Sequence, residues 1–550
     1  MSGIAALIYE VAWTRPLQMV LLSTTYTYAI IFAAFMAGLG IGALIISRYI
    51  HRIKNLPAAF GLLEAGIAVY GAILLHLFNL VPDIYRAVYP LRHNFIFFEF
   101  VLYAIVFALF LIPTTLMGAT FPIVAKILSS EKIGKGVGFA YSANNFGAII
   151  GSIAAGFLLV PLLGIKGSIV VAGIINLIVA AMMLFSFAEK AAKIVLPAAA
   201  VLFFIFIFTA KYDIDEMHSS GYYADLPKDM ALDWKTVYYK EGMHGTVAVQ
   251  QYKDERSFTL LMNGKGQGSN VITDWRVNQL LAALPLLINP GAKNALVIGL
   301  GTGTTSGLLA QAVDTTTIEI EPAILGAAKY FSEVNHDVLE NSRHKIVIGD
   351  GRHFLLKTDE KWDMIIPEPS DPWQSFSSAL FSEEFFRLAA EHLNESGIFM
   401  QWVPSSSMSE DSFKSFYKTF NSVFPSVAVF ANIRENEEFA VPLPPSEFLL
   451  IGSNNEIAFN DLDRKFKELP VSLKNDLSKA GIPSASEIRF LFLASGRQIG
   501  NYAVDAELLD DDMPLLETSV ARYIISSKTS LEVINSLQEF LRENAGKKSS

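Results

Sequence analysis

The residues with the clearest chemical potential lie between 294 and 373. Ala295–Leu300 is a continuous apolar run, the pattern of a strand buried on both faces. It leads into Gly299-Leu300-Gly301-Thr302-Gly303-Thr304-Thr305, and Ser306–Ala312 can follow as a helix. A strand, a glycine turn and a helix start together offer backbone N–H groups and a positive helix end to a bound ligand. A glycine turn alone can serve only to pack strand against helix, so the surroundings decide. Thr315–Ile320 reads as a second strand ending at Glu319-Ile320-Glu321-Pro322, and a carboxylate there can accept both hydroxyl hydrogens of a ribose diol. Lys345–Ile348 reads as a third, ending at Gly349-Asp350-Gly351-Arg352, where a carboxylate can accept from an adenine amino group. Lys361–Ile366 reads as a fourth, ending at Pro367-Glu368-Pro369-Ser370-Asp371-Pro372-Trp373, with two carboxylates on a proline-stiffened loop. Gly397–Trp402 would be the fifth strand. The carboxyl edge of an open α/β sheet is where such folds hold ligands, and acidic groups recur along it here.

Upstream of this edge, Lys235–Lys240, Thr246–Tyr252 and Ser257–Met262 alternate as a small antiparallel sheet, and Asp274–Leu287 has helical spacing. Lys211–Pro227 is polar and Tyr-rich and reads as a linker. Asn454–Arg497 reads as mixed helices and loops, and Leu531–Leu541 as an amphipathic helix packed on the domain or on a partner.

The 550 residues divide into halves suited to different solvents. Up to Lys211 there are 13 Lys and Arg against 6 Asp and Glu; the remainder holds 30 basic and 47 acidic residues. The acidic half argues against a nucleic-acid partner, because phosphate binding wants a basic face. The absence of cysteine excludes disulfides, thiolate catalysis and Cys-ligated zinc. Met1 runs almost directly into an apolar segment, with no basic region of a cleavable leader. Seven segments are apolar for about the 20 residues a bilayer span needs: Ile4–Leu22, Tyr26–Ser47, Ala58–Leu80, Phe95–Met117, Val137–Leu163, Ser168–Ala188 and Ile194–Ala210. Gly38, Gly40, Gly42, Gly147, Gly151 and Gly156 put small residues on helix faces, which favours close packing. Glu10, Arg15, Glu64, Glu99, Asn144 and Asn145 are polar within these spans, and either line a cavity or pair to hold the bundle.

Loop charge gives a topology clue. Arg48, Arg52 and Lys54, then Lys126, Lys132 and Lys135, then Lys190 and Lys193 form the richer set; Arg86, Arg92 and Lys166 form the poorer. The positive-inside rule puts the richer set in the cytoplasm and, with seven spans, the C-terminal domain outside. Supply of a cytosolic nucleotide metabolite favours the cytoplasmic side instead.

The stretch from about Tyr238 to Phe430, with a weaker match at Asp510–Tyr523, resembles the polyamine aminopropyltransferases, or spermidine synthases. The whole chain is similar to the membrane-fused spermidine synthase-like proteins of prokaryotes. Ser2–Arg15, Leu116–Pro122, Glu368–Trp373, Leu380–Phe386 and Asp511–Glu517 carry that closer match. The resemblance implies an N-terminal polytopic α-helical membrane domain (residues 1–211), a linker, small β subdomain and connecting helix (212–289), and a Rossmann-like α/β cofactor-binding catalytic domain (290–550).

It also implies transfer of an aminopropyl group from decarboxylated S-adenosylmethionine to an amine such as a diamine or polyamine, releasing methylthioadenosine. By resemblance, Gly299, Gly301, Thr302 and Gly303 form the cofactor turn, Glu319 takes the ribose, and Asp350 with Gly351 takes the adenine. Gln267 matches a glutamine near the cofactor, Glu368 stands where the amine is deprotonated, and Asp371 matches the second aspartate of that loop. Nothing in this chemistry requires a metal. The partners implied are the amine and the lipid bilayer, and the soluble members commonly form homodimers.

Several positions depart from the family pattern. Thr302 replaces an aspartate that holds the aminopropyl amino group and would repel the carboxylate of ordinary S-adenosylmethionine. Asn263 replaces another aspartate, and Glu368 replaces aspartate with one extra methylene. Val277-Asn278-Gln279 stands where soluble members have a tyrosine, a histidine or glutamine, and a glutamate that grip the amine. Three readings follow: an aminopropyltransferase, a methyltransferase using S-adenosylmethionine on a membrane-borne acceptor, or a polyamine or nucleotide sensor or carrier without catalysis.

Overall fold

The structure is a computed structural model. It describes residues 1–550 apart from 129–132, 189, 212, 219–220, 225–232, 375–376, 405–406, 433, 437–440, 444–446, 526–530 and 548–550. Lys132 and parts of the expected linker lie outside the described residues. The chain forms two compact units: Met1–Val247 with Met262–Lys265, and Ala248–Leu261 with Gly266–Ser550.

The first unit is built from α1 (Ser2–Leu21), α2 (Thr25–Tyr49), α3 (Leu56–Phe78), α4 (Val81–Val88), α5 (Phe95–Leu128), α6 (Ile133–Ala154), α7 (Val160–Phe187) and α8 (Lys190–Thr209). Glycine lets these helices meet backbone to backbone. A Cβ on Gly42 of α2 would strike the Thr115 backbone of α5, and one on Gly118 of α5 would strike the Leu39 backbone of α2. Gly151 of α6 likewise faces the Ile4 backbone of α1, whereas Gly40 and Gly156 have open space beside them. Glu64 is fully buried, and its Oε2 accepts from Asn176 Nδ2 of α7 at 2.7 Å. Arg15 donates to the Met243 carbonyl at 2.6 Å.

The seven-span expectation is not confirmed. Among the described residues, four helices are long and apolar enough to cross a membrane: Thr25–Arg52, Leu56–Phe78, Phe95–Leu128 and Gly134–Phe187. The expected fifth and sixth spans run together in the last of these, which is 54 residues long. Ile194–Thr209 is shorter, and α1 carries Glu10 and Arg15. The long stretch contains a π-helical turn at Ala155–Leu159 and one non-helical residue, Gly164, at φ 74°. Past that break the Ile165 N–H has no helical partner. The Glu241 carboxylate accepts it, and Tyr239 Oη donates to the other oxygen of that carboxylate at 2.9 Å.

Glu241 ends β1 (Trp234–Glu241), which with β2 (Thr246–Tyr252), β3 (Phe258–Met262) and β4 (Lys265–Ser269) makes a small sheet in sequence order. The division between the units falls within these strands. The alternating pattern predicts β1 to β3; β4, glycine-rich and short, has no such pattern.

The second unit holds an eight-stranded sheet in the order β14-β10-β13-β9-β8-β5-β6-β7. Its strands are β5 (Asn294–Ile298), β6 (Asp314–Glu319), β7 (His344–Ile348), β8 (Trp362–Pro367), β9 (Leu393–Val403), β10 (Ser426–Ala431), β13 (Phe448–Ser453) and β14 (Phe492–Ser495); β11 (Arg434–Asn436) and β12 (Val441–Leu443) form a separate ladder. β5 to β9 are parallel, with Ile298 opposite Ile318 and Leu296 opposite Ile365. β13 and β10 add on antiparallel.

Alternation along β9 assigns its faces. Ile398 and Met400 pack in a core shared with Leu280, Leu284 and Leu287 of the helix Ile272–Ile288. Phe399 points the other way, into a ring cluster with Phe386, Phe420 and Phe424. Burying each such side chain contributes about 1.5–3 kcal/mol. Because β5 lies between β8 and β6, the carboxyl ends of β8, β5, β6 and β7 are consecutive along one edge.

Overpacking a helix contact costs roughly 1–3 kcal/mol. Gly42→Val is therefore expected to lower the unfolding temperature and monodisperse yield of the detergent-solubilised protein, while Gly40→Val leaves both near the parent's.

Candidate active site

β5 ends in a turn that side chains would block. Gly299 has φ 100°, and a Cβ there would lie 2.6 Å from the Glu368 carbonyl oxygen. Gly303 has φ 82° and precedes the helix Thr304–Leu309. Gly301, at φ 54°, has open space where a Cβ would go. This is a cradle a ligand's polar groups can approach closely.

The turn is stitched to its neighbours. Glu319 Oε2 accepts from the Leu300 N–H and Oε1 from the Glu321 N–H, each at 2.8 Å. Glu319 is buried, and burial pushes its carboxyl up although these backbone donors pull the other way. Thr302 is buried beside Gly268, and its hydroxyl is 2.9 Å from the Thr304 hydroxyl. Its carbonyl accepts from Asn335 Nδ2 at 2.8 Å.

Asp350 is the exposed N-cap of the helix Gly351–Lys357, accepting from the His353 N–H at 2.6 Å. Gly351 is buried, with the Ile298 side chain where its Cβ would go. Arg352, next along, is paired with Asp511, Nη1 lying 2.7 Å from Oδ1. Ser378 donates to Glu517 at 2.8 Å, and the Glu383 N–H to the Leu509 carbonyl at 2.9 Å. The motifs Leu380–Phe386 and Asp511–Glu517 thus hold the C-terminal segment against the helix that Asp350 caps.

The loop after β8 carries the reactive candidates. The Glu368 N–H donates to the Ile298 carbonyl at 2.8 Å, which continues the β5–β8 ladder past the strand end. Glu368 Oε2 accepts from Asn278 Nδ2 at 3.2 Å. Its Oε1 is closed to solvent and has no partner among the described residues. Burial pushes the Glu368 carboxyl up to about 7, against the opposing pull of Thr305 and Asn278. Asp371 is buried on the same loop. Gln267, on β4, accepts from Ser370 Oγ at 2.9 Å and so reaches that loop.

The structure therefore brings Gly299, Thr302, Gly303, Glu319 and Glu368 together around one turn, with Gln267 tied to the loop that also carries Asp371. Asp350 and Gly351 lie two strands further along the edge. Sequence reasoning missed the roles of Thr305 and Ser370, and treated Asn278 only as a departure. The available signal was a polar pair, Asn278-Gln279, heading an apolar helical run. Gln279 turns into the core: its amide nitrogen donates to the Asp476 carbonyl at 3.0 Å and its oxygen accepts from Trp275 Nε1 at 3.1 Å.

Residues 275–437 match the Spermine/spermidine synthase domain, and residues 5–311 match the Major Facilitator Superfamily. Polyamine aminopropyltransferase 2 of Aquifex aeolicus is 22% identical over 427 residues, 76% of this chain and 80% of that protein. Polyamine aminopropyltransferase of Oceanobacillus iheyensis is 24% identical over 483 residues, covering 86% and 87%. The Thermococcus kodakarensis protein of that name is 32% identical over 166 residues, 28% of this chain and 56% of its own length. Among solved structures, a spermidine synthase in complex with the transition state analogue AdoDATO has a TM-score of 0.38 at 20% identity, covering 46% of this chain and 87% of that one. With a Major Facilitator Superfamily match over more than half of its length, a spermidine synthase domain overlapping and following it, and relatives that match over most of their own length, the chain is a transferase that joins a facilitator-like helical domain to a spermidine synthase domain.

Proposed function

We propose that this protein transfers an aminopropyl group from decarboxylated S-adenosylmethionine to an alkylamine, with Glu368 as the proton acceptor. The observation that carries the reading is the Glu368 carboxyl: one oxygen is held by Asn278, burial pushes the group up to about 7, and it stands beside the glycine turn. Gly299, Gly301, Thr302 and Gly303 would carry the nucleoside sulfonium, Glu319 its ribose hydroxyls, and Asp350 with Gly351 its adenine. Gln267 would steady the loop that bears Glu368 and Asp371.

The sulfonium supplies an electrophilic carbon and a neutral thioether leaving group. The chain must supply an unprotonated amine, because an ammonium has no lone pair to attack with. Glu368 takes the N–H proton as the new C–N bond forms and the C–S bond electrons pass to sulfur. Asp371, buried on the same loop, would hold the acceptor's positive charge. A carboxyl raised to about 7 suits this work, since proton transfer is most effective when the base titrates near the working pH.

A second reading is methyl transfer from ordinary S-adenosylmethionine. Thr302 favours it: its hydroxyl pairs with Thr304 and it brings no negative charge to the turn. Mass spectrometry of products in nanodiscs separates the two. Methylthioadenosine with an aminopropylated amine supports the first reading; S-adenosylhomocysteine supports the second.

In the membrane half we read seven crossings. The 54-residue stretch is about 80 Å long at 1.5 Å per residue, enough for two passes broken at Gly164. Supply of the nucleoside favours the cytoplasm for the soluble domain, against the loop-charge bias that seven crossings carry. A C-terminal fusion to a reporter active only in that compartment should be active; activity only from a periplasmic reporter would overturn this orientation.

Three further outcomes are expected. The carboxylate form of Glu368 grows as pH rises through about 7, so kcat should rise through that range and level off above it. Glu368→Gln should lower kcat at least about a hundredfold while leaving methylthioadenosine binding near the parent's. Gly299→Ala should instead abolish nucleoside binding, measurable by calorimetry, because a Cβ at that φ has nowhere to go.

A further inference from the structure

The glycine turn has little of its own to hold it in shape. Gly299, Gly301 and Gly303 all have positive φ, and glycine has the most backbone freedom to lose when one conformation is fixed. Glu319 holds the first half of the turn through the Leu300 N–H, and Asn335 holds the second half from behind. Asn335 Nδ2 donates to the Thr302 carbonyl at 2.8 Å and to the Ala328 carbonyl at 2.9 Å. Its Oδ1 is closed to solvent and has no partner among the described residues. Turning the amide over would set that oxygen against two carbonyls, so the position uses the amide as a donor and leaves its acceptor idle.

Asn335 is itself firmly placed. It is buried at the end of the short helix Ser332–Asn335, and a Cβ on Gly307 would strike its carbonyl. Val338, a turn further on, stands where a Cβ on Gly303 would go. His336 puts Nε2 2.7 Å from Oδ2 of the buried Asp476, on the helix Val471–Lys479. The Asp476 carbonyl in turn takes the Gln279 amide inside the core. A chain of contacts therefore runs from the core to the Thr302 carbonyl.

We propose that Asn335 is a positioning residue for the nucleoside, keeping the glycine turn in its binding conformation before the ligand arrives. The proposal rests on the reading of Gly299–Gly303 as the nucleoside cradle. A cradle already ordered loses no binding energy to its own ordering. Without the brace, the arriving nucleoside must order the turn itself, and its affinity falls by that amount. Once bound, it restores the same turn, so the chemical step is little changed. The signature is a rise in KM for the nucleoside at nearly constant kcat.

The test uses the full chain in nanodiscs, with methylthioadenosine as the calorimetric probe and decarboxylated S-adenosylmethionine as the kinetic one. Asn335→Ala should weaken methylthioadenosine at least about fivefold, the scale of one hydrogen bond, and raise KM for the sulfonium nucleoside by a similar factor. With saturating nucleoside, kcat and the KM for the amine should stay within about twofold of the parent's. Val338→Ala trims the same wall without removing a hydrogen bond. It should lower the unfolding temperature yet leave methylthioadenosine affinity within about twofold of the parent's.

A folded Asn335→Ala with parent-like methylthioadenosine affinity overturns the proposal. So does a variant that loses kcat at unchanged nucleoside affinity, the mark of a residue that only holds the fold. Equal weakening by Val338→Ala overturns it as well, since packing alone then accounts for the effect. If Asn335→Ala does not fold, Asn335→Asp keeps the volume while its carboxylate offers Thr302 no donor. The same loss of nucleoside affinity is expected from it, and parent-like affinity there overturns the proposal. Gly299→Ala keeps the two failures apart. Unimpaired methylthioadenosine binding in that variant removes the underlying reading of the turn, whereas loss of binding there, with a parent-like Asn335→Ala, removes only the brace.

Discussion

The approach of two backbones governs this site. β5 and β8 are parallel neighbours, and beyond the strand ends their ladder continues with the Glu368 N–H on the Ile298 carbonyl. That hydrogen bond draws the Glu368 carbonyl so close to Gly299 that no side chain fits between them. The glycine is needed as much by the neighbouring loop as by any ligand. The same closeness brings the Glu368 side chain to the helix that follows the turn, where Thr305 meets it. One inter-strand contact thus sets the backbone of the nucleoside cradle and the place of the buried carboxylate.

The parallel strands were legible because a strand buried on both faces is apolar, as Ala295–Leu300 is throughout and Met364–Ile366 is after Lys361 and Asp363. Their carboxyl ends were legible because Gly299, Glu319, Asp350 and Glu368 sit where the apolar runs stop. β4 was not, because Lys265–Ser269 contains two glycines and no alternation, and its pairing is fixed by the strand beside it. The Asn278 contact was not, because 90 residues separate it from Glu368 and only the packing of the helix Ile272–Ile288 joins them. Gln279 shows how little a residue's type says about direction: one step along that helix, an equally polar amide is spent inside the core.

In the membrane half the apolar segments were plain, but their division was not. Hydropathy fades at loops, and between Gly134 and Phe187 the described helix does not yield to one. What breaks it is a single backbone angle at Gly164, which no apolar average registers. The first span is ambiguous for the opposite reason: Glu10 and Arg15 lower its mean, although most of its remaining residues are buried.

The cap on that break has a consequence for how such a protein could have been assembled. The carboxylate that satisfies Ile165 is Glu241, which lies beyond the last apolar helix, on the first strand of the small sheet. Arg15 of α1 likewise ends on the Met243 carbonyl, in the turn that follows. A chain ending soon after α8 would leave a bare N–H at a helix restart and an arginine without this carbonyl. The helical half is therefore no ready-made anchor to which an enzyme was attached. Its finishing piece is encoded on the far side of the linker, on the first strand of the small sheet and the turn after it, which belong to the same compact unit as the helices.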